Sequence, residues 1–99
     1  MTRMVILLHP QDNVVVCCRD IAAGADVSAA GFEFLVGQSV QLGHKLAVRD
    51  LEPGDKIIKY GTSIGSATAQ IRVGDWVHTH NMTSDYISPH TRQTEGSNA

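Results

Sequence analysis

Residues 49–57 read Arg49-Asp50-Leu51-Glu52-Pro53-Gly54-Asp55-Lys56-Ile57, and the same pattern returns in outline at residues 19–27 and 70–77. Each copy has an aliphatic residue, two spacers, a glycine, two further residues and a second aliphatic residue. Pro53 and Gly54 occupy the two central positions of a four-residue turn, which is typical of type II, where the third residue takes positive φ. We expect the aliphatic residues to anchor each turn in a core. The uneven spacing of the copies indicates a compact β fold and not a solenoid.

Short apolar and β-branched runs, separated by Gly, Pro and Asp, fill the chain up to residue 81. Apolar residues do not keep helical spacing for more than about two turns in any window, so helix is the minority element. The predicted strands are residues 4–8, 14–18, 32–36, 45–48, 56–60, 67–71 and 76–80. The glycines at 61 and 65 predict a hairpin in between. The sequence therefore predicts a mostly β fold.

The length of 99 residues is that of one domain. After His80 the composition becomes polar, and Tyr86 and Ile87 are the sizeable apolar side chains beyond Met82. A segment of this kind buries too little apolar surface to order itself. We therefore expect a folded domain over residues 1–81 and a polar C-terminal tail over residues 82–99, which is either flexible or docked on a partner chain.

Charge and cysteine usage exclude several classes of function. Lys plus Arg total 8 and Asp plus Glu total 10, for a net charge of -2, and basic residues do not cluster. Nucleic-acid binding and membrane-surface binding are both disfavoured on these grounds. The apolar run at residues 4–8 is too short for a signal peptide, and the adjacent Cys17 and Cys18 are expected to be reduced core thiols. These features favour a cytoplasmic protein.

Two histidines, His78 and His80, lie two residues apart in the last predicted strand. Side chains at this spacing project from the same face of a strand, so both imidazoles are candidates for one metal ion or one substrate. A catalytic metal site needs about three protein ligands, so two polar edge residues remain the alternative interpretation. Asn81 follows directly and adds an amide that could orient a ring or bind a hydroxyl.

The second candidate site is Gly43-His44-Lys45, at the start of a predicted strand. Lys45 could neutralise a substrate carboxylate while His44 removes or relays a proton, which is the arrangement that proton removal next to a carboxylate requires. Solvated loop residues are the alternative. Lys59 is favoured as a solvated lysine on spacing alone. The chain has no nucleophile elbow, phosphate-binding loop, dinucleotide-binding glycine motif or Cys-x-x-Cys pair.

Five segments together resemble a known family. They are His9-Pro10-Gln11-Asp12-Asn13-Val14, Gly43-His44-Lys45, Ile58-Lys59-Tyr60-Gly61, Ile64-Gly65 and His78-Thr79-His80-Asn81. In this order they resemble the small N-terminal domain or subunit of the altronate and galactarate dehydratases, over about residues 5–86. The resemblance implies an SAF domain with a β-clip fold.

The resemblance also implies a function. Members of this family remove water from a sugar acid to give a 2-keto-3-deoxy acid, and they usually require iron or manganese. Most of their catalytic machinery belongs to a large domain, so this chain resembles a separate small subunit that is inactive without a large dehydratase subunit. Carried over by position, His44 and Lys45 are the catalytic residues, Lys59 and Asn81 bind the anionic substrate, and His78 and His80 lie near the metal. A second copy of the chain is a further candidate partner.

Three rival interpretations follow from the same residues. The small subunit of (2R)-sulfolactate sulfo-lyase resembles this chain in the Gly-His-Lys and Lys-Tyr-Gly motifs, and it expels sulfite instead of water. A non-catalytic SAF module would bind a carbohydrate or a partner protein without needing converging histidines. A purely structural interaction protein would leave the histidines exposed and replaceable.

Overall fold

The computed structural model describes residues 4–29 and 31–84, which form nine short β-strands and no helix. The mostly β prediction is confirmed. The strands are β1 Val5–Ile6, β2 Val14–Cys17, β3 Asp26–Ala29, β4 Phe32–Leu35, β5 Lys45–Ala47, β6 Lys56–Lys59, β7 Thr62–Ala67, β8 Trp76–Val77 and β9 Met82–Ser84. Within the described ranges no helix is long and apolar enough to cross a membrane.

All strand pairings are antiparallel and fall into three small sheets, with the orders β1-β2-β5-β8, β3-β4 and β6-β7-β9. The strand predicted at residues 67–71 is wrong, because β7 lies earlier and Ile71 makes only an isolated bridge to Leu51. The Thr, Ser and Gly residues of β7 are typical of turns, yet they pair with β6 because the preceding turn folds the chain back on that strand. Strands β3 and β9 were missed.

The glycine turn occurs four times, and the copy that the sequence pattern did not reveal is residues 40–46. In every copy the glycine N–H donates a hydrogen bond to the carbonyl of a residue on a neighbouring segment. The N–H of that same residue donates to the carbonyl of the residue that follows the glycine. These bonds are 2.7–2.9 Å long. The type II prediction is confirmed by φ of 94° at Gly54 and by the 2.9 Å bond from Asp55 N–H to Glu52 O. The eight anchoring side chains are all buried: Ile21, Val27, Val40, Leu46, Leu51, Ile57, Ile71 and Val77.

The four turns associate in two pairs, which makes the fold a duplicated unit. Ile21 bridges Val40 in the first pair, and Leu51 bridges Ile71 in the second. An aspartate braces each pair in the same way: Asp20 accepts a hydrogen bond from Leu42 N–H, and Asp50 accepts one from Val73 N–H. Each half also carries a hairpin, β3-β4 or β6-β7, and the buried residues form two clusters.

Two further expectations can be compared with the described residues. Strand β9 pairs with β7 through Met82–Ser84, so a paired strand extends into the segment assigned to the polar tail. The expectations for residues 85–99, including Tyr86 and Ile87, lie outside the described residues. Cys17 is buried and Cys18 is exposed, and the two are not bonded to each other. The core placement is confirmed for Cys17 and wrong for Cys18, and the reduced state stays a prediction.

Candidate functional site

The register between β5 and β8 brings the two sequence-predicted sites together. Lys45 pairs with Val77 and Leu46 pairs with Trp76. One step further along this register, His44 lies opposite His78, just beyond the last paired residues. The centroids of these two imidazole rings are 5.1 Å apart, with the rings edge to face. The Gly-His-Lys turn and the His-x-His segment are therefore one site.

Trp76 lies at the centre of this site and contacts three imidazoles. Its ring stacks on His78 with centroids 5.1 Å apart and an interplanar angle of 11°. His80 lies 4.9 Å away in a tilted arrangement, and His44 lies 5.5 Å away, edge to face. The half-buried indole packs against the first buried cluster. We call His44, Trp76, His78 and His80 the ring cluster.

The indole also determines which nitrogen of His44 carries a proton. Trp76 Nε1–H donates a hydrogen bond to His44 Nδ1 at 3.1 Å. An indole nitrogen can only donate, so Nδ1 must offer a lone pair, and the proton of the neutral ring is on Nε2. In this tautomer His44 presents a hydrogen-bond donor to a ligand. The general base that the sequence predicted would instead need Nε2 to be unprotonated.

Two lysines add positive charge beside the ring cluster. Lys45 and Lys59 are both half-buried, although they belong to different sheets. Burial, and then the nearby charge of Lys59, lowers the pKa of Lys45 below its usual value. The Lys59 ammonium is close enough to act on Lys45, so the two groups form a local positive field in a chain whose net charge is -2. A bound anion would relieve this repulsion.

His78 responds to the same surroundings. Partial desolvation, followed by the charges of His44, Lys45 and His80, lowers the pKa of His78 below its ordinary value. The charged form of the stacked ring is therefore disfavoured. This shift links the ring cluster to Lys45 electrostatically. The structure thus brings together five of the six sequence-predicted site residues: His44, Lys45, Lys59, His78 and His80.

Asn81, the sixth, shapes the turn that presents the histidines. Strand β8 ends at Val77, so the prediction of a strand through His80 is wrong. The Asn81 side chain is only 7% exposed, and its Oδ1 accepts a hydrogen bond from His78 N–H at 2.9 Å. Its Nδ2 donates to the Trp76 carbonyl at 2.9 Å. The amide closes the turn after β8, and substrate binding by Asn81 stays a prediction.

Comparison with known proteins identifies the family. The model of the altronate/galactarate dehydratase SAF domain matches residues 3–85. The chain belongs to this family. Its relatives include the altronate dehydratases of Bacillus subtilis and Escherichia coli, at 40% and 43% identity over 80 residues, or 81% of this chain. The (2R)-sulfolactate sulfo-lyase subunit alpha of Chromohalobacter salexigens is 44% identical over 50 residues, which are 50% of this chain.

The coverage of these relatives differs. This SAF domain spans 16% of the length of each of the two altronate dehydratases and 53% of the length of the sulfo-lyase subunit. The chain thus corresponds to a small part of the dehydratases. The relationship to lyases is clear, and the assignment of one reaction to this chain requires a separate argument.

The metal implied by the family can be tested against the donor set of this SAF domain. His78 and His80 both contact Trp76, and among residues 4–29 and 31–84 no group of three or more His, Cys, Asp or Glu side chains could hold an ion. A catalytic metal normally takes about three protein ligands. The described residues do not fit a complete resident metal site, so we derive no chemical step through a metal.

A buried aspartate of the SAF domain positions Lys59, and sequence reasoning assigned it no role. Tyr60 and Gly61 both have positive φ, 57° and 71°, as the two central residues of a type I′ hairpin turn do. Asp12, 1% exposed, accepts hydrogen bonds from Tyr60 N–H at 3.0 Å and Gly61 N–H at 2.7 Å. This pair of bonds fixes the tip of the β6-β7 hairpin. The detectable signal was an acidic residue two positions before the apolar run that begins at Val14.

The neighbours of Asp12 strengthen the same contact. Asn13 accepts a hydrogen bond from Ile58 N–H and donates to the Lys56 carbonyl, both at 2.8 Å. The His9 ring lies over Gly61, where an added Cβ would be 2.9 Å from His9 Nε2. The segment at residues 9–13 thus connects the hairpin that carries Lys59 to the sheet that carries Lys45.

Proposed function

We propose that this chain is the small subunit of a sugar-acid dehydratase of the altronate dehydratase kind. Together with a separate large subunit, it would remove water from an aldonate or aldarate to give a 2-keto-3-deoxy acid. The observations that support this proposal are the electrostatic coupling of Lys45 with Lys59 and the donor nitrogen of the neighbouring His44, in a chain of a lyase family. A carboxylate with a neighbouring hydroxyl matches this set of cations and donors.

The arrangement suits the difficult step of such a dehydration. A base removes the proton from the carbon next to the carboxylate, and the electron pair of that C–H bond becomes the new C=C bond. The C–O bond on the next carbon breaks, the hydroxyl leaves as water after gaining a proton, and the resulting enol becomes a ketone. Negative charge develops on the carboxylate oxygens as the proton leaves. In this proposal Lys45, Lys59 and His44 Nε2–H stabilise that charge.

The partner supplies what this chain lacks. We assign the base and the acid for the leaving hydroxyl to the large subunit, since the His44 tautomer offers a donor. His80 and Tyr60 are exposed, so the site is open to solvent where these two residues lie. One relative is itself named a subunit, which supports a separately folded SAF chain. An iron or manganese ion in the assembled enzyme stays a prediction, because His78 and His80 would need further ligands from outside the described residues.

The first test identifies the partner. The tagged chain is recovered from native lysate under anaerobic conditions, and co-eluting proteins are identified by mass spectrometry. The assembled complex and the chain alone are then assayed for 2-oxo acid formation from D-altronate and galactarate. We expect turnover by the complex only. Turnover by the chain alone, or a complex inactive on both sugar acids, would contradict the proposal.

A second candidate function is that of a (2R)-sulfolactate sulfo-lyase small subunit. It is favoured by the match to a relative named as subunit alpha of that enzyme. Sulfolactate carries a carboxylate and a sulfonate, and two lysines suit such a dianion. The same complex is therefore assayed for sulfite release from (2R)-sulfolactate. Sulfite without 2-oxo acid from the sugar acids would replace the first assignment by the second.

A further inference from the structure

The ring cluster gives Trp76 a role that none of the sequence patterns assigned. A tryptophan at the end of a short strand usually serves as packing surface. Trp76 does pack against the buried cluster, but its only polar atom is directed at a histidine of the site, His44. The hydrogen bond connects residues 32 positions apart in sequence. An apolar ring of similar shape would pack equally well and could not make this bond.

We propose that Trp76 is a positioning residue that fixes His44 in the tautomer with the proton on Nε2, and thereby makes His44 a hydrogen-bond donor to the substrate instead of a base. The proposal rests on the proposed function for the identity of the substrate, a carboxylate. The tautomer itself is a property of this chain and can be measured without a partner.

Contacts on several sides restrain the indole, so its N–H stays directed at His44 Nδ1. The backbone of Trp76 pairs with Leu46 on β5. Its carbonyl accepts the Asn81 side-chain N–H, which ties the end of β8 to the following turn. One face of the ring lies against His78 in a nearly parallel stack. A ring restrained by backbone, core and stacking holds a hydrogen bond more reliably than an exposed side chain does.

The other nitrogen of His44 is left for a ligand. Among the described residues, no side chain accepts a hydrogen bond from His44 Nε2, although His78 and Lys45 are close by. Lysine has only donors, so Lys45 cannot accept that proton. Three groups are available to an anion: the His44 Nε2–H and the ammonium groups of Lys45 and Lys59. None of the three has a carboxylate partner among the described residues. A substrate carboxylate supplies the acceptor oxygens.

The chemical consequence is a division of work between the subunits. A donor at the carboxylate binds the ground-state anion and binds it more strongly as further negative charge develops on the oxygens, and this difference lowers the barrier to removal of the neighbouring proton. A base at the same place would instead compete for Lys45 and Lys59. The base that takes the α-proton therefore belongs to the large subunit, on the opposite side of the substrate.

The decisive experiment measures the tautomer directly. The ¹⁵N-labelled full chain is examined by long-range ¹H–¹⁵N correlation at a pH where the imidazoles are neutral, and His44 is assigned with His44→Ala. We expect the shift of an unprotonated nitrogen at Nδ1 and that of a protonated nitrogen at Nε2. Trp76→Phe should move both shifts toward the average of two exchanging tautomers. A protonated Nδ1 in the natural chain, or unchanged shifts in Trp76→Phe, would overturn the proposal.

A second variant guards against altered packing. Trp76 is the single tryptophan of the chain, so growth on 3-benzothienylalanine replaces this residue alone. That side chain keeps the shape of the indole and lacks its N–H. Its His44 shifts should match those of Trp76→Phe. If they match those of the natural chain, packing and not the hydrogen bond sets the tautomer, and the proposal fails.

Kinetics of the assembled enzyme then connect the tautomer to catalysis. Both variants should lower kcat roughly 10-fold or more, because the lost stabilisation acts on the transition state, and they should change KM much less. An altered tautomer with unchanged kcat would overturn the catalytic role of His44 as a donor. An inactive natural complex with the expected tautomer would overturn the proposed function while leaving the tautomer assignment standing.

Discussion

His44 and Asp75 occupy the same position in two copies of one turn, directly after the glycine, yet only Asp75 closes its own turn. Asp75 Oδ2 accepts a hydrogen bond from Arg72 N–H at 2.8 Å. Asp55 accepts the equivalent bond from Glu52 N–H, also at 2.8 Å. His44 instead contacts Trp76 and His78. The turn at residues 40–46 thus lacks the stabilising carboxylate of the third and fourth turns and carries a ring-cluster residue instead.

Replacing His44 by the residue of the third and fourth turns should separate folding from function. In His44→Asp the new carboxylate can accept Gln41 N–H as Asp75 accepts Arg72 N–H. We expect equal or higher stability to denaturant, by up to about 1 kcal/mol, and a loss of complex activity of about 10²-fold or more. Arg49→Gln, an exposed site beyond β5, is the control. A variant that keeps activity would remove His44 from the mechanism.

The charge of Lys45 should lower the stability of the folded chain at neutral pH. Its pKa is lowered, chiefly by burial, so its charged form is disfavoured in the folded chain. That penalty is fully present below the folded-state pKa and is relieved as pH rises through it. Lys45→Met should therefore unfold at a higher urea concentration than the natural chain at pH 7, and the difference should shrink at alkaline pH.

The matched control for Lys45 is the exposed lysine of β6. Lys56→Met should change the free energy of unfolding by less than about 0.5 kcal/mol, as exposed substitutions usually do. If Lys45→Met is less stable than the natural chain at pH 7, the charge of Lys45 is stabilising and the anion-site interpretation is wrong.

Asp12 should be among the costliest single positions. In Asp12→Ala two N–H groups at the hairpin tip, those of Tyr60 and Gly61, lose the buried carboxylate that accepts their partly buried hydrogen bonds. We expect a loss of about 3 kcal/mol in the free energy of unfolding, measured by chemical denaturation. Asp50→Ala, which removes one exposed acceptor from Val73 N–H, should lose only about 1 kcal/mol. Equal losses would show that the hairpin tip is not held by Asp12.

Tyr60 should be replaceable with a gain in stability. It is 66% exposed and has φ of 57°, a conformation that asparagine adopts more easily than tyrosine. Tyr60→Asn creates the Asn-Gly pair preferred in type I′ turns and should raise the unfolding free energy by about 1 kcal/mol. Tyr60→Phe keeps the backbone penalty and should leave stability unchanged. Thermal unfolding distinguishes the two, and a destabilised Tyr60→Asn would contradict this explanation.

The sequence predicted the local features of the fold better than the pairing between them. The Leu51 and Ile57 anchors and the Gly54 turn follow from residue types alone, because the preference for positive φ and the spacing of aliphatic residues depend only on residues close together in sequence. The copy at residues 40–46 has the same spacing from Val40 through Gly43 to Leu46, but it was overlooked because Gly43-His44-Lys45 was interpreted as a candidate site. Strand β7 was misplaced because its pairing depends on the turn at Gly61 and not on its own residues.

For the site, the sequence predicted the participants and not their arrangement. His44 and His78 were recognised separately, because the register that joins them is a property of the β5-β8 pairing. Trp76 was treated as a strand residue, since an indole N–H has no sequence signal until its acceptor is located. Asn81 was expected to orient a ring or bind a hydroxyl, and its amide bonds the backbone at His78 and Trp76. Long-range contacts such as that between Trp76 and His44 arise only from the folded chain.

The four turns also bear on how such a domain acquires and changes activities. Backbone hydrogen bonds hold each turn, so the side chain after each glycine can be exchanged while the loop keeps its shape. The repeated geometry gives the fold several equivalent positions, and His44 shows that one of them can carry a side chain that contacts the ring cluster. Protein engineers can use the same freedom: Ala25 is a site where a new functional side chain can be installed without loss of a turn hydrogen bond, whereas Asp55 and Asp75 would each lose one.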